Sequence, residues 1–276
     1  MDSTLIALVS MGFLGAVFAA GLAVASKKFA VDVNPQVAEV EEALPGINCG
    51  ACGYGGCSSF AEAVVSGEAA PNGCPVGGSD VARELCRILG IELDGKGQRV
   101  IAQVLCKGGQ EEAVEQSTYQ GPRDCRIAHM IGGHKGCGYG CLGLGTCVDT
   151  CPFEAMAMSD NGLPVIYEDK CTGCGNCVRA CPRDIIVLAG DEYGVHIRCR
   201  SLAKGKPTRD ACSVGCIACR RCVKECPVSA ITVEDNLARI DYDLCINCRK
   251  CAAVCPMNTI DIQDEKPVLK KKRSEV

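Results

Sequence analysis

The sequence predicts an α+β chain organised around metal sites: an apolar N-terminal helix, a Cys-rich module, then two tandem pairs of cysteine runs. Three observations predict it. Cysteine accounts for 25 of 276 residues, residues 4 to 26 carry no charge, and a run ending in Cys-Pro recurs four times. Disulfide scaffolds are usually short and secreted, whereas this chain is long, its cysteine count is odd, and its cysteines crowd into C-x-x-C runs. Neighbours that close serve a metal better than a bridge to a distant strand. Metal thiolates in turn imply a reducing, cytoplasm-facing compartment. Tryptophan is absent and aromatics make up 4%, so apolar cores are small and metal binding must supply much of the folding free energy.

The first element is TLIALVSMGFLGAVFAAGLAVAS, long enough for one tilted membrane span. Lys27 and Lys28 follow it, while its N-terminal flank holds only Asp2. The positive-inside rule then puts the N-terminus outside and the bulk of the chain in the cytoplasm, on a cell membrane. Ala23, Val24 and Ala25 resemble a signal-peptide cleavage site, but the flank lacks Lys or Arg and the apolar run is too long, so a retained anchor is expected.

Five segments follow from composition: an anchor at 1–28, a Cys-rich module at 29–95, a first paired module with a preceding insertion at 96–190, a second at 191–265, and a basic tail at 266–276. Helices are expected within 27–47 and 79–94. Each Cys-Pro is followed by a β-prone segment: FEAMAM, RDIIVL, VSAITV and MNTIDI.

Three runs match C-x2-C-x2-C-x3-C-P: Cys171/Cys174/Cys177/Cys181, Cys216/Cys219/Cys222/Cys226 and Cys245/Cys248/Cys251/Cys255. This is the spacing of bacterial two-cluster ferredoxins, in which three thiolates grip one [4Fe–4S] cubane and the fourth reaches the partner. A zinc site would use two separated C-x2-C knuckles. The first run departs from the pattern, as Cys137-x3-Cys141-x5-Cys147-x3-Cys151, with glycine filling the extra length. Crossing the fourth cysteines gives four expected ligand sets. These are Cys137, Cys141, Cys147 with Cys181; Cys171, Cys174, Cys177 with Cys151; Cys216, Cys219, Cys222 with Cys255; and Cys245, Cys248, Cys251 with Cys226. A fifth set, Cys49-x2-Cys52-x4-Cys57-x16-Cys74, lies in the N-terminal module. Five [4Fe–4S] clusters are therefore expected. Cys86, Cys106, Cys125, Cys199 and Cys212 are left over. Cys86 reads as a buried thiol. For the other four, buried thiols, redox-active pairs across hairpins, and a sixth cluster all stand open.

No G-x-G-x-x-G follows an expected strand and there is no P-loop, so no NAD or flavin site of the chain's own is expected. His129, His134 and His196 show no metal spacing and read as surface residues. Residues 198 to 224 carry Arg198, Arg200, Lys204, Lys206, Arg209, Arg220, Arg221 and Lys224 against Asp210 alone, either a solvated face or a dock for an acidic redox partner. Lys204 and Lys206 are expected in a loop. The Lys270 to Arg273 tail could touch anionic lipid. No motif supports nucleic-acid binding.

The order of these parts resembles RnfB, a component of the Rnf complex, which is an ion-translocating ferredoxin:NAD oxidoreductase. LPGINCGACGYGGC and YGCLGLGTC-x3-CPF are similar to the long, multi-cluster form of that family. The resemblance implies an electron-transfer subunit that takes electrons from reduced ferredoxin and passes them to membrane-embedded and flavin-bearing subunits. NAD reduction and ion pumping would lie elsewhere in the complex. The alternative is a membrane-anchored polyferredoxin serving another redox complex, such as a hydrogenase.

Overall fold

The computed structural model describes residues 3–28, 34–92, 99–263 and 266–269. The boundaries expected after residues 95 and 265, and the Lys270 to Arg273 tail, fall on residues outside these. Helix α1 (Ser3–Lys28) ends on Lys27 and Lys28. Its stretch Met11–Lys28 is long and apolar enough to cross a membrane, and Met11, Phe13, Phe18 and Leu22 stand exposed on it.

The N-terminal module is three short helices: α2 (Pro35–Ala43), α3 (Cys57–Val65) and α4 (Gly78–Leu89). Asn34 caps α2 by accepting the Gln36 amide at 3.0 Å, with Pro35 preset for a first helical turn. Gly90, at φ 67°, ends α4 in the left-handed conformation that glycine adopts without strain. Val40, Leu44, Phe60, Val64 and Leu85 form the core. Burying one such side chain is worth roughly 1.5–3 kcal/mol, so this core is modest.

Each half of the remaining chain repeats one plan. In the first half, β1 (Val100–Val104) is followed by helices α5 (Cys125–Met130) and α6 (Thr146–Asp149), the hairpin β2 (Met156–Met158) and β3 (Pro164–Ile166), helix α7 (Asn176–Ala180), and β4 (Ile186–Gly190), which pairs antiparallel with β1. In the second half come β5 (Val195–Ile197), helices α8 (Gly205–Ala211) and α9 (Arg221–Glu225), the hairpin β6 (Ile231–Glu234) and β7 (Leu237–Ile240), helix α10 (Lys250–Ala253), and β8 (Ile260–Ile262), which pairs with β5. All four β-prone segments after Cys-Pro become strands in their second halves. Strand β1 lies in the insertion before the first cysteine run, where no element is expected from sequence.

The repeat extends to single backbone angles. The second residue after each Cys-Pro proline is left-handed: Glu154, Asp184, Ser229 and Asn258, with φ of 50°, 50°, 53° and 51°. Each module's core holds its own cysteines beside a few aliphatics, such as Ile186 and Met156 in the first, and Ile231 and Ile260 in the second.

Polar contacts tie the halves together. Lys266 pairs with Glu168 at 2.9 Å, and Gln263 donates to the same carboxylate at 2.6 Å. Arg198 pairs with Asp261 and donates to the Val104 carbonyl at 2.9 Å. The chain after β1 also runs between the halves, its Lys107 amide donating to Arg198 O at 3.2 Å.

Two expectations need correction. Lys204 caps and Lys206 lies within helix α8, not a loop, although both are exposed. His196 is fully buried in β5. Its Nδ1 faces the Tyr242 hydroxyl at 2.6 Å and its Nε2 the Tyr193 carbonyl at 3.1 Å, a pairing that lets a polar ring enter a strand core. Burial, then the Arg198 charge, lowers its pKa to about 4.

Candidate metal centres

Cysteines gather around shared cavities. Cys49, Cys52, Cys57 and Cys74 line one of them. Asn48 holds the entry to α3 in place, its Oδ1 accepting the Cys57 amide at 2.7 Å. Gly56 is required beside it, since a Cβ there would sit 2.9 Å from that oxygen.

Cys216, Cys219, Cys222 and Cys255 line a second cavity. The fourth member comes from the other run, as the crossed pattern expects. Around Cys222 the thiols of Cys216, Cys219 and Cys255 add to burial in pushing its own thiol up to about 11. Burial and then Cys245, Cys248, Cys222 and Cys226 push Cys251 up to about 12. Burial and then Cys174, Cys171 and Cys151 do the same to Cys177. Cys255, Cys226 and Cys151 thus each stand near cysteines of the opposite run.

The first run behaves differently. Its cavity is lined by Cys125, Cys141, Cys147 and Cys181. Cys137, expected in that set, lines another cavity with Cys106, Cys199 and Cys212. The backbone explains the exchange. In the regular runs the residues two and four after the first cysteine are left-handed: Gly173 and Gly175, Ala218 and Arg220, Asn247 and Arg249. The second of each pair caps the short helix bearing the third cysteine. In the first run the same two angles fall at Gly143 and Gly145, and Gly145 caps α6 ahead of Cys147. Cys141 therefore matches Cys171, Cys147 matches Cys177, and Leu144 stands where Cys174 would be. CLGLGTC set against CTGCGNC shows this register in the sequence, where spacing counted from Cys137 hides it. Cys125 fills the gap from outside the run, its amide donating to Thr146 Oγ1 at 2.7 Å beside Cys147. Cys106 and Cys125 thus do not pair across a hairpin. Cys199 and Cys212 meet at one cavity from either end of α8, and Cys86 is buried in α4.

Backbone amides point at many of these sulfurs. Cys171 accepts from Ala102 at 3.4 Å, Cys141 from Gly143 at 3.4 Å, Cys226 from Ala230 at 3.3 Å, Cys255 from Thr259 at 3.4 Å and Cys74 from Gly77 at 3.4 Å. Such bonds favour thiolate and tune the potential of a bound cluster. Among the described residues no three His, Cys, Asp or Glu side chains close around a point tightly enough for a single ion. Four thiols lining one cavity instead match the donor number of a [4Fe–4S] cubane. An all-sulfur donor set is also what iron–sulfur clusters take.

Comparison with known proteins agrees with this chemistry. The Fe-S cluster family FeS matches residues 44–76, and two 4Fe-4S dicluster domain families match residues 136–186, and 170–230 with 215–259. The B subunit of the ion-translocating oxidoreductase complex of Methanosarcina acetivorans is 44% identical over 246 residues, covering 88% of this chain and 92% of its own. The chain belongs to the RnfB family, the B subunits of ion-translocating ferredoxin:NAD oxidoreductase complexes. The corresponding RnfB-type protein of the Na⁺-translocating complex of Acetobacterium woodii is 45% identical, covering 88% of this chain and 73% of its own. That of the proton-translocating complex of Clostridium ljungdahlii is also 45% identical, covering 88% and 86%. The RnfB family and its 4Fe-4S domains give this chain an electron-transfer role.

Proposed function

We propose that this subunit takes electrons from reduced ferredoxin and delivers them to membrane-embedded and flavin-bearing subunits of its complex, which carry NAD reduction and ion translocation. When bound, [4Fe–4S] clusters supply one-electron chemistry to the chain. Its residues would hold five of them. Cys49, Cys52, Cys57 and Cys74 take one in the N-terminal module. Crossed sets that include Cys181, Cys151, Cys255 and Cys226 take the rest, two in each ferredoxin-like module. In the five-segment division, α1 is the single-pass anchor, and Lys27 and Lys28 favour an outer N-terminus with the clusters on the cytoplasmic side.

The observation that carries ferredoxin as the donor is Cys219, the exposed cysteine among those described. It precedes Arg220 and Arg221, with Lys224 one turn on, and all three cations are exposed. A Cβ on Gly205 would lie 3.0 Å from the Ile217 carbonyl, so the start of α8, with exposed Lys204 and Lys206, packs two residues from Cys219. An acidic carrier would be steered to this face, and steering acts mainly on association rate. Reversing Lys204 and Lys206 to Glu leaves the cysteines untouched. The double variant should take electrons from reduced ferredoxin several-fold more slowly at low salt, with unchanged iron content. The difference should close at high salt, because screening at physiological strength acts over about 8 Å. Equal second-order rates at low salt would move the entry point elsewhere.

A further inference from the structure

We infer that Cys106, Cys137, Cys199 and Cys212 hold a sixth [4Fe–4S] cluster at the junction of the two ferredoxin-like modules, with Cys125 completing the first module's set in place of Cys137. The inference rests on reading the other four-cysteine cavities as cluster sites.

The cavity matches the one at the first run in composition, four cysteines lining each. The backbone register frees Cys137. With Leu144 at the middle-cysteine position and Cys125 beside Cys147, the first run's set is complete without it. The cysteines that share a cavity with Cys137 are the three that no other set uses once Cys86, buried in α4, is set aside.

The same surroundings seen at the other sulfurs recur here. The Cys141 amide donates to Cys106 Sγ at 3.4 Å, and the amides of Cys216 and Ser201 donate to Cys199 Sγ at 3.3 and 3.4 Å. Room for the group is kept by glycine. A Cβ on Gly108 would sit 2.9 Å from Cys212 Sγ, and one on Gly140 3.4 Å from Cys137 Sγ.

Charge points the same way. Lys135 lines the cavity and is 6% exposed, and its Nζ reaches the Gly108 carbonyl at 3.2 Å. No carboxylate among the described residues lies within ion-pair reach of it. A buried ammonium without a counter-charge is costly. Four thiols that give their protons to solvent on binding, and the sulfides of a cubane, make a net anionic group that would pair with it.

The site also has a position that no single module could provide. Cys106 and Cys137 come from the first half, Cys199 and Cys212 from the second. One of its sulfurs accepts an amide from Cys141, in the first module's set, and another from Cys216, in the second's. It stands between the two pairs and in contact with both.

The test is an iron and acid-labile sulfide count on the full chain, purified anaerobically in detergent, with Mössbauer spectra of the serine variants. We expect about 24 iron atoms per chain, falling by about four in each of Cys106→Ser, Cys137→Ser, Cys199→Ser and Cys212→Ser, with the same spectral component missing in all four. The pair Cys106→Ser with Cys212→Ser should lose no more than either alone, whereas Cys106→Ser with Cys125→Ser should lose about eight. About 20 iron atoms in the wild type, unchanged by Cys106→Ser and Cys212→Ser, would overturn the sixth site while leaving the other cluster sites standing. A disulfide between any two of the four in the anaerobic protein would overturn it as well. An iron-free chain would instead refute the cluster reading as a whole. If serine variants fail to accumulate, the wild-type count alone decides.

Discussion

The amide of Cys141 donates to the sulfur of Cys106 at 3.4 Å across 35 residues of chain, so a cysteine of the first run and one from the preceding insertion share a boundary. The insertion is therefore part of the cysteine framework and not an appendage to it.

Crossing of the fourth cysteines predicts which cluster each variant damages. Cys181 lies with Cys141 and Cys147, and Cys255 with Cys216, Cys219 and Cys222. Cys181→Ser should impair the cluster at Cys141 and Cys147 while the Cys171 cluster stays spectroscopically near intact. Selective loss of the Cys171 cluster would refute the crossed assignment.

Gly173 carries a second prediction. It is left-handed at φ +69°, and a Cβ there would lie 2.9 Å from Val100 Cγ2 and closer still to the Val100 carbonyl. Gly173→Ala must therefore push β1 away, and β1 supplies the Ala102 amide to Cys171 Sγ. We expect a loss of order 1–3 kcal/mol from strain alone, with a shift of the Cys171 cluster's potential in a redox titration. An unchanged melting temperature and potential would show that the contact is slack.

His196 predicts a pH dependence. Its pKa falls from 6.5 to about 4 on folding, so the native ring stays neutral where the unfolded one takes a proton. The stability it contributes is complete above about pH 6.5, declines as pH falls towards 4, and amounts to about 3 kcal/mol. His196→Gln should remove that part of the slope from acid unfolding curves. Identical slopes in wild type and variant would place the titration elsewhere.

Removing residues 1 to 28 should release a soluble protein that keeps its brown colour, because no cysteine of the chain lies before Cys49. Retention in the membrane fraction would mean that another segment or a partner protein anchors it.

The three regular runs and the strand after each Cys-Pro are legible in the sequence because ligand spacing and local β-propensity are written in short windows. Helices α2 and α4 fall within stretches legible as helical, α4 from its apolar spacing. What escapes is long-range. Strand β1 is defined by its pairing with β4, Val100 standing opposite Gly190, and no local period marks it. His196 looks like a surface residue in the sequence because its burial depends on Tyr193 and Tyr242 closing over it. Cys137 falls to the first run when linear spacing counts cysteines, whereas the backbone counts left-handed turns, and these start from Cys141.

The most direct test of electron entry mixes anaerobic, cluster-loaded full chain with reduced ferredoxin in a stopped-flow instrument and follows bleaching of the iron–sulfur absorbance. Rapid bleaching is expected, with a second-order rate that falls as salt rises, since an acidic donor meets the basic face around Cys219. Cluster-loaded chain that ferredoxin leaves unbleached at any salt concentration would contradict the proposed role.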